Sequence, residues 1–170
     1  VWMAYMLDKV HDADPLFLDS IPDSSSQAHI VTIRLKRLMD AEIVRTLDAN
    51  GGLKVAEWRV LFVLDRDDEL SQKEVSEEIF MEQAQASRAL RALQDKGLVH
   101  TERDTVDLRR WNFRLTPAGD KLFASVNPAM QARRRRIDGI LSTEEMEAFK
   151  ALATKLAKGL RQLNADDVGK

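Results

Sequence analysis

The run from Met81 to Gly97 constrains the fold of this chain more than any other stretch of its sequence. At 3.6 residues per turn, its small apolar side chains gather on one side of a helix and its charged and amide side chains on the other. Guanidinium and amide groups are the ones that reach base edges and phosphates in a DNA major groove. The run therefore predicts a DNA-reading helix that ends at Gly97, where a left-handed cap is favoured. The predicted inward residues are Ala86, Ala89, Leu90 and Leu93, and the outward ones are Ala84, Arg88, Arg91 and Asp95.

The sequence before this run predicts the first half of a helix-turn-helix. Residues 54–65 have the apolar pattern of a helix, and Trp58 on that helix is more often a core residue than a ligand contact. Ser71 and Glu74 then form an S-x-x-E capping box, which begins a short helix that ends near Phe80. Two short helices separated by a few residues, the second with a basic face, are typical of a helix-turn-helix.

The sequence after the run predicts a β-hairpin. Residues 98–103 read as a strand, and residues 111–115 alternate cleanly as its antiparallel partner. The polar tip between them carries Arg109 and Arg110, with few groups in the tip to pair them. A hairpin directly after a basic helix is predicted to be a wing rather than a cover for the core.

An unusually apolar helix is predicted on the N-terminal side of this domain. Residues 27–47, after the N-cap candidate Ser26, place apolar side chains around most of the helix circumference, so the helix must be buried from several directions. A partner subunit is the readiest way to bury it. Residues 1–26 are irregular and contain several large apolar side chains. They are predicted to be an arm that packs on the body or on a second subunit, with partial disorder as the alternative.

On the C-terminal side, Thr116 and Pro117 form a cap-then-proline start to a helix that is disturbed at Pro128 and continues to about residue 140. A second capping box, Ser142 with Glu145, begins a terminal helix. The apolar stripe of that helix is Met146, Phe149, Leu152, Leu156 and Leu160.

The predicted fold class is mainly α with a small β-hairpin wing: a winged helix-turn-helix flanked by N- and C-terminal dimerisation helices. The predicted division is 1–49 for the N-terminal arm and dimerisation helix, 53–120 for the winged helix-turn-helix DNA-binding domain, and 121–165 for the C-terminal dimerisation helices.

The distribution of charge supports a DNA-binding surface, although the net charge of the chain is −2. Between residues 83 and 114, seven cationic side chains stand against four anionic ones, a local balance of 7 − 4 = +3. Binding to nucleic acid depends on where charges lie rather than on their sum. No apolar run approaches the roughly 18 residues that a membrane-spanning helix needs, and no secretory signal pattern is present. We therefore expect a cytoplasmic, nucleoid-associated protein with no membrane partner.

The sequence gives little support to an enzyme or a metalloprotein. The chain has no cysteine, which excludes disulfides, thiolate metal sites and a cysteine redox switch. Its three histidines are dispersed without metal-ligand spacing, so no metal is predicted. No Gly-rich phosphate loop and no nucleophile elbow occur, so we predict no catalytic residues and no cofactor. The four arginines at 133–136 point in all directions on a helix, so they cannot form one binding face. We expect them to form ion pairs with acidic neighbours or to lie near phosphates.

From about residue 27 to 162, the chain resembles the MarR family of bacterial winged-helix transcription regulators. The resemblance is carried by the order and spacing of short motifs, of which Leu93-Gln94-Asp95-Lys96-Gly97-Leu98-Val99, Asp107-Leu108-Arg109-Arg110 and Leu115-Thr116-Pro117-Ala118-Gly119 are the clearest. It implies an obligate homodimer on a pseudo-palindromic operator in double-stranded DNA, with half-sites about 34–36 Å apart. It also implies that Asp107 orients Arg109 into the minor groove.

The residue patterns and the family resemblance together predict which residues contact DNA and an effector. Gln83, Gln85 and Arg88 are the candidates for base edges, and Ser71, Ser87, Arg91 and Arg103 are the candidates for phosphates. Asp107, Arg109 and Arg110 are the candidates from the wing. His29 and Trp58 are candidates for binding a small aromatic or anionic effector, because without cysteine only small-molecule control, or no control, remains.

Two functions from different classes fit this sequence. The first is a dimeric transcription regulator, expected to be a repressor that a small-molecule effector releases from its operator. The alternative is a winged-helix protein-interaction module without sequence-specific DNA binding. Steep salt dependence and a small set of protected DNA sites are expected of the first and not of the second.

Overall fold

The computed structural model describes residues 15–22, 26–67, 69–105, 107 and 109–168, with side chains described as far as residue 163. The chain forms two compact units, Val1–Asn127 and Pro128–Lys170. A 3₁₀ turn at Leu18–Ser20 precedes the first long helix. The helices are α1 Gln27–Ala49, α2 Val55–Arg66, α3 Gln72–Glu78, α4 Gln83–Asp95, α5 Pro117–Asp138 and α6 Thr143–Val168. The strands are β1 Leu70–Ser71, β2 Val99–Arg103 and β3 Trp111–Leu115.

The fold is mainly helical with a small antiparallel sheet, which confirms the predicted fold class. The three strands have the order β1-β3-β2, so β3 is central. The hairpin register pairs Val99 with Leu115 and Arg103 with Trp111, as an uninterrupted ladder. The third strand, β1, pairs Leu70 with Phe113 and was not predicted, because two residues are too few to show an alternating pattern.

The inward side of α4 is as predicted. Each of its four inward side chains is no more than 5% exposed. Through this apolar side, the helix packs chiefly against α2 and α3. The helix ends at Gly97, whose φ of +68° is the left-handed conformation that glycine favours.

Hydrogen bonds at helix starts confirm three of the four predicted caps. The Ser71 and Ser142 capping boxes are both formed, with the serine amides donating to Glu74 and Glu145 at 2.8 Å. The Thr116 hydroxyl accepts a hydrogen bond from the amide of Gly119 at 3.1 Å. Ser26 occupies the N-cap position of α1, but its side chain makes no capping hydrogen bond, so that prediction was only half right.

The start of α5 lies unusually close to the strand that follows α4. A Cβ atom added to Gly119 would lie 2.1 Å from the carbonyl oxygen of Leu98, which is far inside van der Waals contact. The same carbonyl accepts a hydrogen bond from the Thr116 amide at 3.1 Å. Glycine is therefore required at this position. Further along, Pro128 lies inside α5, which continues beyond it to Asp138 as predicted.

Within the first unit, α1 leaves much of its apolar surface uncovered. Leu47 is its one buried residue, whereas Ile33, Met39 and Val44 are 43–46% exposed. The predicted need of this helix for burial from several directions is therefore not met by the described part of a single chain.

The short segment before α1 is attached to that helix by Arg34. Its guanidinium donates to the carbonyl oxygens of Leu16 at 2.7 Å and Phe17 at 2.5 Å, and Ile21 of the segment is buried. Residues 1–14 and 23–25, which make up most of the predicted arm, lie outside the described residues.

The second unit, Pro128–Lys170, is helical. Its helix α6 carries the predicted apolar stripe, of which Phe149, Leu152, Leu156 and Leu160 are all at least 43% exposed. Among the residues with described placement, no helix is both long and apolar enough to cross a membrane.

Candidate nucleic-acid interface

The outward side of α4 presents donors that the fold itself does not use. Gln83, Gln85, Arg88 and Arg91 are all exposed, and Ser87 is partly exposed at the edge of the same side. Within the described part of the chain, neither guanidinium makes an ion pair. The arrangement leaves amide and guanidinium groups free to bind a ligand along one face of a helix, as sequence analysis predicted.

The predicted phosphate contact at Ser71 has its donors occupied. The Ser71 hydroxyl donates to Glu74 Oε2 at 2.8 Å, and the Ser71 amide donates to the same oxygen at 2.8 Å. The Ser71 oxygen in turn accepts the Glu74 amide at 3.3 Å. A phosphate needs a donor, so binding one here would require breaking the cap of α3.

The tip of the wing is held by backbone hydrogen bonds. Asp107 Oδ1 accepts the amide of Arg109 at 3.0 Å, and the Asp107 carbonyl accepts the amide of Arg110 at 2.8 Å. Asp107 thus shapes the backbone at Arg109, whereas the implied contact between the carboxylate and the guanidinium is not formed. The Arg109 side chain is exposed, and its guanidinium has no ion-pair partner among the described residues.

Arg110 differs sharply from its neighbour, and the prediction that few groups would pair it was wrong. Its guanidinium donates to Glu74 Oε2 at 2.6 Å and, through Nε, to Asn112 Oδ1 at 2.7 Å. Its Nε also lies 3.8 Å from Asp104 Oδ2. The wing arginine that the sequence groups with Arg109 is therefore tied to the base of the wing and to α3.

Asn112 is a buried polar residue that sequence analysis missed. Its side-chain amide donates to Glu69 Oε1 and to Asp104 Oδ2, both at 2.9 Å, while the residue is only 4% exposed. The predicted alternation of β3 is broken as a result, because Trp111 is 51% exposed and Asn112 and Phe113 are both buried. Sequence analysis had no local signal for this burial, because an amide that alternates with apolar residues in a strand predicts an exposed position.

Hydrogen bonds from Ser71 dominate the electrostatics at the start of α3. The hydrogen bonds from the Ser71 amide and hydroxyl are the main cause that lowers the pKa of Glu74, and burial opposes them by raising it. The positive charges of Arg110 and Lys73 lower the pKa further, by smaller amounts. Glu74 is therefore ionised at neutral pH. In that state its carboxylate accepts hydrogen bonds from both α3 and the wing.

The outer surface of the hairpin carries two further arginines. The Arg103 guanidinium carbon lies 5.5 Å from the ring centroid of Trp111, a cation–π arrangement that leaves the side chain exposed and available to a phosphate. Arg114 on the neighbouring strand pairs with Glu102 at 2.5 Å.

An ion pair between the buried Glu57 and the partly exposed Lys96 fixes the far end of α4. The Lys96 ammonium lies 2.8 Å from both carboxylate oxygens of Glu57, which is 2% exposed and also accepts the Lys54 amide at 3.0 Å. This pair joins the start of α2 to the end of α4 across 39 positions of sequence. Sequence analysis did not identify it, because nothing local relates Glu57 to Lys96.

The two predicted effector residues have different environments. His29 is exposed near the start of α1, whereas Trp58 is 5% exposed and stacks on Phe123 with ring centroids 5.1 Å apart. The structure does not bring His29 and Trp58 together. One turn after Phe123, the buried Asn127 Oδ1 has no hydrogen-bond partner in the described part of the chain. Across those same residues, no group of three potential metal ligands occurs.

Comparison with known proteins shows which family this chain resembles. The sequence profile of the MarR family matches residues 51–110, which span α2, the helix-turn-helix and most of the wing. This part of the chain is similar to the MarR family. A curated relative, the HTH-type transcriptional regulator FarR of Neisseria gonorrhoeae, is 27% identical over 109 residues, which are 64% of this chain and 75% of that protein. That relative is a transcription regulator by its name.

Solved structures share the MarR fold over most of the chain. A MarR-family transcriptional regulator from Silicibacter pomeroyi is 29% identical, with a TM-score of 0.60 over 86% of this chain and 94% of that one. MepR of S. aureus, solved with DNA, is 23% identical, with a TM-score of 0.69 over 80% and 99%. BpsR of Bordetella bronchiseptica, whose DNA binding is regulated by 6-hydroxynicotinic acid, is 23% identical, with a TM-score of 0.69 over 81% and 96%.

Proposed function

We propose that this MarR-family protein is a homodimeric repressor that binds a pseudo-palindromic operator through α4 and the wing. The observation that carries the proposal is the outward side of α4, where exposed amide and guanidinium groups take no part in the fold. Bases are read by such groups in the major groove, and an arginine at a wing tip suits the negative potential of a narrow minor groove. MepR, which has the same fold, has been solved with DNA.

In this proposal the contacts are divided among three groups. Gln83, Gln85 and Arg88 contact base edges, because they lie on the exposed side of α4 from its first residue onward. Arg91, Ser87 and Arg103 contact phosphates, which position the protein without specifying sequence. Arg109 enters the minor groove.

The homodimer is proposed from the apolar surface that a single chain leaves exposed. Val44 of α1 and Leu152 of α6 are examples, at 43% and 68% exposure. Two copies that each contribute such helices would bury this surface and would place two winged domains on one duplex. A twofold protein requires a matching twofold in the operator.

Control by a small aromatic acid is proposed from one structural relative and from one unpartnered side-chain oxygen. BpsR, which shares the fold, responds to 6-hydroxynicotinic acid. In this chain, the unpartnered Asn127 oxygen lies one turn from the Phe123 ring that stacks on Trp58, so a donor group on an aromatic ligand would have an acceptor beside an aromatic cluster. Addition of 6-hydroxynicotinic acid is expected to raise the melting temperature and to release DNA. If neither changes at millimolar concentration, regulation by this ligand is rejected.

The decisive experiment selects bound fragments from the source genome and measures their affinity at several salt concentrations. A regulator protects a small set of sites with steep salt dependence, whereas an interaction module shows neither. Arg109→Ala is then expected to weaken binding by about 5- to 150-fold, corresponding to about 1–3 kcal/mol for a specific arginine contact. Arg114→Ala is the matched control, because Arg114 lies on the same hairpin but pairs with Glu102. Equal affinity for Arg109→Ala and wild type would reject the wing contact.

A further inference from the structure

A continuous path of hydrogen bonds runs through the base of the wing, with Asn112 at its centre. The Asn112 side chain uses its oxygen to accept from Arg110 and its nitrogen to donate to Glu69 and Asp104, all at 2.7–2.9 Å. Because the residue is 4% exposed, water does not compete freely for these groups. The amide oxygen therefore accepts one hydrogen bond, and the amide nitrogen donates two, all of them with protein side chains.

The path continues outward to the wing tip. Asp104 accepts from Asn112 with Oδ2 and from the Asp107 amide with Oδ1, at 2.9 Å in each case. Asp107 Oδ1 then accepts the Arg109 amide at 3.0 Å. Three successive hydrogen bonds thus join the buried amide of Asn112 to the backbone of Arg109.

The path continues inward to the helix-turn-helix. Arg110 donates to Glu74, and Glu74 is the third residue of α3 and is held there by the Ser71 cap. The guanidinium is planar with its donors in a fixed fork, so its two contacts, to Glu74 and to Asn112, fix its orientation. The first helix of the helix-turn-helix and the wing tip are therefore connected through one arginine.

The charges around Arg110 make it a poor phosphate ligand. Glu74 lies 2.6 Å from its guanidinium and Asp104 lies 3.8 Å away, while Glu69 binds the adjoining Asn112. A phosphate approaching Arg110 would meet these carboxylates, whereas the Arg109 guanidinium has no ion-pair partner among the described side chains. The two neighbouring arginines therefore have different chemistry available to them.

We propose that Arg110 is a positioning residue that acts on DNA only through Arg109, by way of Asn112, Asp104 and Asp107. This inference rests on the proposed DNA-binding function and assigns Arg110 a role other than direct contact. It implies that the wing is held at a fixed distance and angle from α3 before DNA arrives, so that the backbone at Arg109 need not be ordered at the moment of binding. Preorganisation of this kind increases affinity by reducing the ordering cost.

A double-mutant cycle tests the proposal. The full-length variants Arg109→Ala, Arg110→Gln and the double variant are compared for affinity to a genomic fragment selected by the wild-type protein. If Arg110 acts only through Arg109, each single change weakens binding by about 5- to 150-fold and the double variant equals Arg109→Ala. Losses that multiply in the double variant would overturn the proposal, because Arg110 would then have its own contact with DNA. An affinity of Arg110→Gln equal to wild type would also overturn it.

A lysine at the same position separates positioning from charge. Lysine keeps the positive charge but is a flexible point charge without the planar fork, so it does not bridge Glu74 and Asn112 in the same geometry. Arg110→Lys is therefore expected to lose nearly as much affinity as Arg110→Gln. Full activity of Arg110→Lys would show that charge alone suffices, and would overturn the positioning role. Arg114→Lys, on the same hairpin, is the control and is expected to change affinity less than twofold.

Hydrogen exchange of the unbound protein gives a readout that does not depend on DNA. Arg110→Gln, or Asp104→Asn if the first variant folds poorly, is expected to speed exchange of the Asp107 and Arg109 amides at least tenfold and to leave the amides of α4 unchanged. Unchanged exchange at the tip would overturn the connection itself. If exchange increases while Arg109→Ala leaves DNA affinity unchanged, the proposed DNA function of the wing fails and the structural connection stands.

Discussion

At the scale of single residues, identical side chains in adjacent positions take on different roles through partners that are distant in sequence. Arg109 is exposed at the wing tip, whereas Arg110 pairs with Glu74, which lies 36 positions earlier. Local reasoning placed both in the DNA contact set, because no periodicity or motif relates a wing residue to the third residue of α3. The same limit applies to the pair formed by Glu57 and Lys96.

Phe80 provides a prediction about backbone strain. It has a φ of +49° in the turn between α3 and α4 and is 96% exposed, so an aromatic residue occupies a conformation that suits glycine without gaining burial. Phe80→Gly is expected to raise the free energy of unfolding by up to about 1 kcal/mol in urea titrations. Phe80→Ala is the matched control: it removes the ring and keeps the Cβ atom, so it should give little of this gain. A loss of stability in Phe80→Gly would show that the ring has a structural role.

Glu74 provides a prediction about pH. Its pKa is lower in the folded protein than the ordinary value of 4.5, because Ser71 and Arg110 stabilise the carboxylate. The carboxylate therefore stabilises the fold fully above pH 4.5, and this contribution is lost as the pH falls through the folded pKa. In urea titrations between pH 7 and pH 3, Glu74→Gln should be less stable than wild type at neutral pH and should lose less stability on acidification. Parallel curves for the two proteins would contradict this assignment.

At the scale of secondary-structure elements, the sequence was most informative where a pattern is long or a cap is local. The inward set of α4, the two capping boxes and the hairpin strands were all predicted, because each depends on residues a few positions apart. The short strand β1 was missed because it exists only through pairing with β3. The inward turn of Asn112 was missed because its partners Glu69 and Asp104 come from outside β3.

Gly119 provides a prediction for the junction between β2 and α5. Gly119→Ala is expected to lower the free energy of unfolding by more than about 2 kcal/mol, because the added Cβ meets a backbone carbonyl that cannot rotate away. Gly159→Ala is the control, since that helical glycine has no atom within 4 Å of an added Cβ, and alanine there should cost nothing. Equal stability of Gly119→Ala and wild type would mean that the helix start shifts easily.

At the scale of the whole molecule, sequence analysis identified a helix that was too apolar to stand alone, and the exposed surfaces of α1 and α6 agree with it. The sequence alone does not predict which apolar side chains of these helices remain exposed to solvent in a single chain. That depends on how much of each helix face the rest of the chain reaches, and helical periodicity says only that the face exists. The proposed dimer follows from this remaining exposure.

The dimer is tested by a charge placed on the α6 stripe. Leu152 is 68% exposed in the single chain, so Leu152→Glu should not harm the fold of one subunit but should place a carboxylate in the proposed interface. The variant is expected to shift from dimer to monomer in sedimentation equilibrium at micromolar concentration and to lose DNA affinity. Lys158→Glu, on the opposite side of α6, controls for charge. A wild-type protein that is monomeric at this concentration would reject the dimer.

The outward side of α4 has a consequence for how such proteins diversify. Gln83, Gln85, Arg88 and Arg91 contribute exposed groups, while folding of the helix depends on the four buried apolar residues that face inward. Exchanging these outer side chains should leave the melting temperature almost untouched. A lineage with this architecture can therefore change the regulatory targets of a duplicated gene one surface residue at a time, without passing through unstable intermediates.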